Sequence, residues 1–170
     1  MRLLGISGSL RTGSSNHAVL RAIGQLDPST SLSIYDGVAR LPHFSPDLDI
    51  EPAPAEVASL RAQVRDADAL LICSPEYAHG IPGSLKNALD WLVSSGEIMD
   101  KHVVLWGSGE YAYDQLIEVL RTLTTNMLVD ASRRISRARQ SFDAAGRLTN
   151  PELASQLTAS LVSLKSELSR

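Results

Sequence analysis

Apolar positions along the chain alternate between short runs and longer stretches of helical period, the pattern of parallel strands joined by crossover helices. Arg2 to Ile6 is the first predicted strand. Val19, Ala22, Ile23 and Leu26 then fall at i, i+3, i+4 and i+7, predicting a helix from about Ser15 to Gln25. Ser31 to Asp36 alternates, with Leu32 and Ile34 on one side, and suits a half-exposed edge strand. Val57, Leu60 and Val64 continue a helical period after Pro54, and Ala69 to Cys73 is an unbroken apolar run suited to a central strand covered on both faces. Leu85, Ala88, Leu89 and Leu92 mark a helix from Pro82 to about Ser94, with the proline in its first turn. Val103 to Trp106 is a fourth strand, and Leu116, Val119, Leu120 and Leu123 mark the helix after it. Met127 to Val129 is a weaker fifth strand. A final helix carries a narrow stripe of Leu153, Leu157, Leu161, Leu164 and Leu168, with Asn150 as its N-cap and Pro151 and Glu152 in its first turn. Five strands and five helices describe a doubly wound α/β domain spanning residues 1–170.

In such a domain a ligand sits outside the carboxyl ends of the strands, where the strand order reverses. The loops after the first, third and fourth strands are therefore the candidate site. Composition narrows what they hold. A net charge of −3 supplies no broad cationic field, which argues against duplex nucleic acid or an anionic membrane as partner. Cys73 is the only cysteine, so no intramolecular disulfide forms, and no His/Cys cluster has metal-ligand spacing. Both facts fit a reducing, cytoplasmic setting. No apolar stretch approaches the length of a membrane-spanning helix, and no targeting segment is visible.

The first of these loops reads S-G-S-L-R-T-G-S-S-N from Ser7 to Asn16, between a strand and a helix start. Glycines free the backbone to turn its amides inward, Ser9, Ser14 and Ser15 offer hydroxyls, and the helix N-terminus adds partial positive charge. Arg11 offers a charge-assisted contact, so a phosphate is well served here, although Ser, Asn and Gly also suit a plain turn and N-cap. The loop lacks the lysine of a nucleoside triphosphatase and the G-x-G-x-x-G of a dinucleotide site, which leaves a monophosphate as the better ligand.

The second loop opens the segment S-P-E-Y-A-H-G-I-P-G-S-L-K-N-A-L-D-W-L, Ser74 to Leu92. Pro75 cannot donate to a neighbouring strand, so pairing ends there and the following amides are free to meet a polar ring edge. Together the two segments resemble the NADPH-dependent FMN reductases, whose pattern is G-S-x-R-x-x-S-x-N followed by P-E-Y-x-x-x-x-P-G-x-L-K-N-x-x-D-W. The likeness extends to L-P-H-F at Leu41 to Phe44 and to F-D-A-A-G-R-L-T at Phe142 to Thr149, nearly the whole chain.

The resemblance implies a flavodoxin-like three-layer sandwich around a five-stranded parallel sheet of order 2-1-3-4-5. It implies that Ser9, Arg11, Ser14, Ser15 and Asn16 hold the FMN phosphate and that Pro75, Glu76, Tyr77 and Ala78 line the isoalloxazine. Tyr77 also suits packing at a partner interface. His79 is read as a surface or interface group, Lys86, Asn87 and Asp90 as capping, pairing or packing residues, and Trp91 as core or interface. Cys73 reads as a small buried hydrophobe. The implied activity passes hydride from NADPH or NADH to FMN and then electrons to a quinone, free flavin or other small acceptor. No protein residue serves as catalytic acid or base, and no metal is needed. A homodimer or homotetramer is implied, helped by the apolar helix around Trp91.

The third loop departs from the family. After Trp106 the chain reads G-S-G-E-Y-A-Y-D, where a Ser- and Gly-rich turn with Gly-Gly is more usual. Ser108 and Gly109 retain amides for the flavin pyrimidine, whereas Glu110 adds an acid and Tyr111 adds bulk. Two other readings remain at this stage: a flavodoxin-type electron carrier, and an interaction domain that has lost tight flavin binding. The cluster Arg133, Arg134, Arg137 and Arg139 fits either the extra phosphate of NADPH or a solvated, salt-bridged face.

Overall fold

The computed structural model describes residues 1–135 and 138–170, so Arg137 of the basic cluster lies outside the described residues. Its elements run β1 (Arg2–Ser7), α1 (Ser15–Leu26), β2 (Ser31–Ile34), α2 (Ala55–Asp66), β3 (Ala69–Ser74) and α3 (Gly83–Asp90). They continue with β4 (His102–Gly107), α4 (Tyr111–Thr122), β5 (Asn126–Met127), β6 (Arg133–Arg134) and α5 (Pro151–Leu168). The parallel sheet has the order β2-β1-β3-β4-β5 expected from the resemblance, and β6 adds a short sixth strand beside the end of β4. The fold is thus flavodoxin-like, with helices on both faces.

The period of two along the strands divides the core. Leu4, Ile6, Leu70, Ile72, Val103 and Leu105 face one layer, where they meet Val57, Leu60 and Val64 of α2, Leu85 and Leu89 of α3, and Leu116 and Leu120 of α4. Leu3, Leu71, Cys73, Val104 and Trp106 face the other, against Val19, Leu20 and Ile23 of α1 and the leucines of α5. β3 is buried along its whole length, and β2 is the half-exposed edge that its alternating sequence predicts. The Asn150 side chain accepts from the amides of Glu152 at 2.9 Å and Leu153 at 3.2 Å, which makes it the N-cap of α5 as predicted.

Three elements end two or more residues away from the sequence reading. The edge strand stops at Ile34, and Tyr35 turns inward, where its hydroxyl donates to the Glu56 carbonyl at 3.2 Å. β5 occupies Asn126–Met127, and Val129 starts a 3-10 turn instead of ending the strand. α3 ends at Asp90, four residues before the predicted Ser94, with Pro82 as its N-cap. The Trp91 carbonyl is taken by the Arg61 guanidinium at 2.9 and 3.1 Å, a tertiary contact that replaces the next helical hydrogen bond.

The helix α3 is anchored to the long loop before α2. The Asn87 side chain accepts from the Phe44 amide at 2.7 Å and donates to the Pro42 carbonyl at 2.9 Å. The Trp91 indole N–H donates to that same carbonyl at 2.8 Å, and Phe44 meets the Trp91 ring edge-on at 5.1 Å. Trp91 is a core residue, wholly buried. Lys86 and Asp90 pair at 2.5 Å along the helix. Two segments that carry the family likeness, Leu41 to Phe44 and Lys86 to Trp91, therefore hold each other and, through α3, the loop that precedes it.

Candidate functional site

The strand order reverses between β1 and β3, and the loops that follow these strands meet there. The Gly8 amide donates to the Cys73 carbonyl at 2.8 Å. A Cβ at Gly8 would lie 2.7 Å from Ser74 Oγ, so only glycine allows the two loops to approach this closely.

The phosphate loop is held by its own hydroxyls. Ser7 Oγ accepts from the Ser9 amide at 3.2 Å, and Ser9 Oγ accepts from the Arg11 amide at 3.3 Å. Gly13 adopts a left-handed φ of 69°, and Ser14 follows as the N-cap of α1, its Oγ accepting from the Asn16 amide at 3.2 Å. Asn16 faces inward: its Nδ2 donates to Ser14 Oγ at 3.3 Å and its Oδ1 accepts from the Cys73 thiol at 3.2 Å. Asn16 thus braces the loop from beneath. Ser9 and Ser14 are also buried, Ser15 is half-buried, and Arg11 is exposed at the rim. With its lone pairs committed to Asn16, Ser14 keeps its hydroxyl hydrogen for an outside acceptor. Hydroxyls, a helix N-terminus and a guanidinium exposed at the rim are the donor set a phosphomonoester requires, so the loop fits FMN's phosphate.

Beside it lies a concavity of about 460 Å³ between the start of α1 and the Phe142 to Gly146 turn, with Arg21 and Arg139 in its wall. That turn is fastened by Asp143, whose Oδ1 accepts from the amides of Ala145 and Arg147, both at 2.9 Å. The F-D-A-A-G-R-L-T segment therefore walls the phosphate loop. Arg21 had no signal in the sequence beyond its charge.

Burial pushes the Cys73 thiol well above its ordinary range. Cys73 is expected to be inert to a thiol-specific disulfide reagent in the native protein and to react fully once denaturant is added. Rapid native labelling would contradict its placement.

The ring loop begins where Pro75 ends β3. Tyr77 and Gly80 exchange backbone hydrogen bonds of 3.1 and 2.9 Å around a tight turn, with Ala78 at φ 48° and His79 at φ 58°. Tyr77 stands half exposed, and its hydroxyl lies 3.3 Å from Ser9 Oγ, which joins the ring loop to the phosphate loop. Glu76 turns toward α4: its Oε2 accepts from the amides of Tyr111 at 2.7 Å and Ala112 at 3.0 Å. These bonds, the Ala112 amide foremost, hold the carboxyl below its ordinary range. Gln115, on α4, donates to the His79 carbonyl at 3.2 Å and accepts from the Ile81 amide at 3.3 Å.

The fourth-strand loop is drawn into the same rim. The Ser108 amide donates to the Ser74 carbonyl at 3.0 Å, and Gly109, at φ 97°, packs so closely that a Cβ there would lie 2.4 Å from the Glu76 Cβ. β6 brings Arg134 next to Gly107, where its guanidinium lies over the Tyr113 ring at 5.0 Å and pairs with Asp114. Tyr113 is buried packing at the helix start, whereas Tyr111 is exposed. Ser9, Arg11, Ser14, Ser15 and Asn16 thus share one loop, and Pro75, Glu76, Tyr77, Ala78, Ser108 and Gly109 share the adjoining two.

The sequence profile of the NADPH-dependent FMN reductase family matches residues 1–134. The chain is 34% identical to an NAD(P)H-dependent FMN reductase of Pseudomonas aeruginosa over 97% of its own length and 94% of the relative's. It is 38% identical to a quinone reductase of Escherichia coli across 54% of this chain and 50% of that protein. Among solved structures, a flavoenzyme NAD(P)H:(acceptor) oxidoreductase from Paracoccus denitrificans superposes with a TM-score of 0.85, at 24% identity and 97% coverage of both chains. Among the described residues, no helix is long and apolar enough to cross a membrane.

Proposed function

The chain belongs to the NADPH-dependent FMN reductase family, and on that premise we propose that it oxidises NAD(P)H and reduces a quinone, free flavin or similar small acceptor at the rim just described. When bound, FMN would supply the redox chemistry between NAD(P)H and the acceptor. The protein's residues bind and orient. Ser9, Ser14, Ser15 and Arg11 donate to the phosphate, with Asn16 bracing the loop from below. Pro75, Tyr77 and Ala78 would border the ring system, and the Gly109 amide would meet its pyrimidine edge; the Ser108 amide, expected to do the same, is instead taken by the Ser74 carbonyl. Glu76 sets the distance between the ring loop and the fourth-strand loop.

The observation that carries this reading is the contact between Ser9 Oγ and the Tyr77 hydroxyl, which makes one continuous wall of the phosphate loop and the ring loop. Its test is anaerobic mixing of the FMN-loaded protein with NADPH or NADH. Rapid loss of the oxidised flavin colour is expected, and bleaching by dithionite alone would replace the reductase with an electron carrier. Arg11→Ala is expected to weaken FMN binding roughly tenfold, the scale of one charge-assisted hydrogen bond, while riboflavin binding stays as it was. Equal losses for FMN and riboflavin would remove Arg11 from the phosphate site.

The same reading includes a homodimer or homotetramer in the cytoplasm. Support comes from an apolar concavity of about 510 Å³ beside the ring loop, bordered by Ile81 and Val119, from the exposed Val93 and Met99, and from the single, buried thiol. Light scattering decides the assembly, and a monomer would exclude it.

A further inference from the structure

We propose that His79 and Tyr111 form an aromatic platform that receives a flat, uncharged electron acceptor of the quinone class. This rests on the reading above, that FMN lies along the rim, and assigns a role to His79, which the sequence left as a surface or interface group, and to Tyr111, which it left only as added bulk. The two rings stack with centroids 4.5 Å apart and planes 19° from parallel. His79 is exposed and so is half of Tyr111, so the pair is not held together by a covering core.

What holds it is a mount built from a left-handed turn and five hydrogen bonds. Ala78 and His79 both occupy the left-handed region, in a two-residue turn where asparagine and glycine are the usual occupants. The paired backbone bonds of Tyr77 and Gly80 close that turn, and Gln115 grips both the His79 carbonyl and the Ile81 amide. On the other side, Glu76 fixes the Tyr111 amide. Backbone strain spent on presenting an exposed ring is strain spent on what the ring meets. Two exposed aromatic rings, already stacked on each other, offer a planar molecule a stacking surface at a reduced ordering cost. The imidazole also carries a hydrogen-bond donor suited to a quinone carbonyl oxygen.

Charge selects among flat ligands. Glu76 and Glu110 adjoin the platform, which disfavours the polyanionic NAD(P)H and leaves a neutral quinone as the better occupant. The balanced reaction is quinone plus NAD(P)H plus one solvent proton giving hydroquinone plus NAD(P)⁺, the redox chemistry being what FMN would supply.

The test compares naphthoquinone with ferricyanide, an acceptor that has no ring to stack, in FMN-loaded wild type, His79→Ala, Tyr111→Ala and Tyr111→Phe. The ratio of kcat/KM for the quinone to that for ferricyanide is expected to fall about fivefold in each alanine variant, the scale of one aromatic contact, and to be kept in Tyr111→Phe. An unchanged ratio in both alanine variants would overturn the platform. A second readout needs no turnover: naphthoquinone titrated into the oxidised protein without NADPH is expected to shift the ring-proton resonances of His79 and Tyr111, and unshifted resonances at saturation overturn it as well. If NADPH fails to bleach wild-type FMN, the reductase reading falls, while this titration still decides the platform.

Discussion

Replacing Arg61 by alanine is expected to lower the unfolding free energy by about 3–5 kcal/mol, the usual cost of breaking a buried ion pair by removing one partner. Arg61 leaves α2 beneath the surface, its side chain only 10% exposed and that of its partner Asp49 12%. The guanidinium donates to Asp49 at 2.8 Å, to Ser94 Oγ at 3.2 Å and twice to the Trp91 carbonyl. Its removal strands a carboxylate and a carbonyl at once. Asp49 also accepts from Ser94, and that hydrogen bond, followed by Arg61, holds its carboxyl below the ordinary range. A carboxyl whose folded pKa is depressed contributes stability above its unfolded value near 3.8, and this is lost as pH falls through the lower folded value. Urea titrations should therefore show the wild type losing stability in that acid window and Arg61→Ala losing less of it. Asp49→Asn in the Arg61→Ala background should then cost little more, because the stranded charge has been removed. A loss under 1 kcal/mol for Arg61→Ala would mean that water reaches the site freely.

The order of strands and helices was legible because each core-facing period is local. Leu3 to Ile6, Ala69 to Cys73 and the leucines of α5 declare their burial within a few residues of chain. β6 was illegible for the opposite reason: Arg133 and Arg134 carry no apolar signal, and they become a strand only because β4 offers them an edge and Gly107 a carbonyl for Ile135. The end of α3 was set by Arg61, thirty positions from Trp91. The three candidate loops gather at one rim, as the strand order implies for loops at the carboxyl ends of β1, β3 and β4. What those loops do to one another was hidden. Glu76 was itself expected to line the ring, yet its carboxylate turns away and reaches 35 positions along the chain to the start of α4, whose free amides draw it. The stack of His79 on Tyr111 likewise depends on a turn whose left-handed residues, Ala78 and His79, give no sequence warning.

Glu76→Ala is expected to weaken FMN binding by tenfold or more, although on this reading the side chain touches no part of the flavin. Its carboxylate serves as the cap that α4 lacks from its own sequence, since Glu110 at the N-cap position makes no side-chain cap bond. Without it, the Tyr111 and Ala112 amides lose their partner, and Gly109 keeps the Cβ at residue 76 but loses the carboxyl group that packs over it. The ring loop and the fourth-strand loop then part, and the ligand between them pays to reassemble the site. Glu76→Gln keeps an acceptor oxygen but gives up the charge that favours a helix N-terminus, so its affinity should fall between the two. The pH dependence separates this role from plain packing. Because the folded carboxyl lies below its unfolded value near 4.5, its anchoring is complete above that value and fails as pH falls through the folded one. Flavin fluorescence titrations should show wild-type FMN affinity dropping in that acid range more steeply than in Glu76→Gln, which has no carboxyl to protonate at this position. Parallel acid profiles would show that Glu76 merely fills space, and wild-type affinity in Glu76→Ala would mean that the two loops hold their spacing without it.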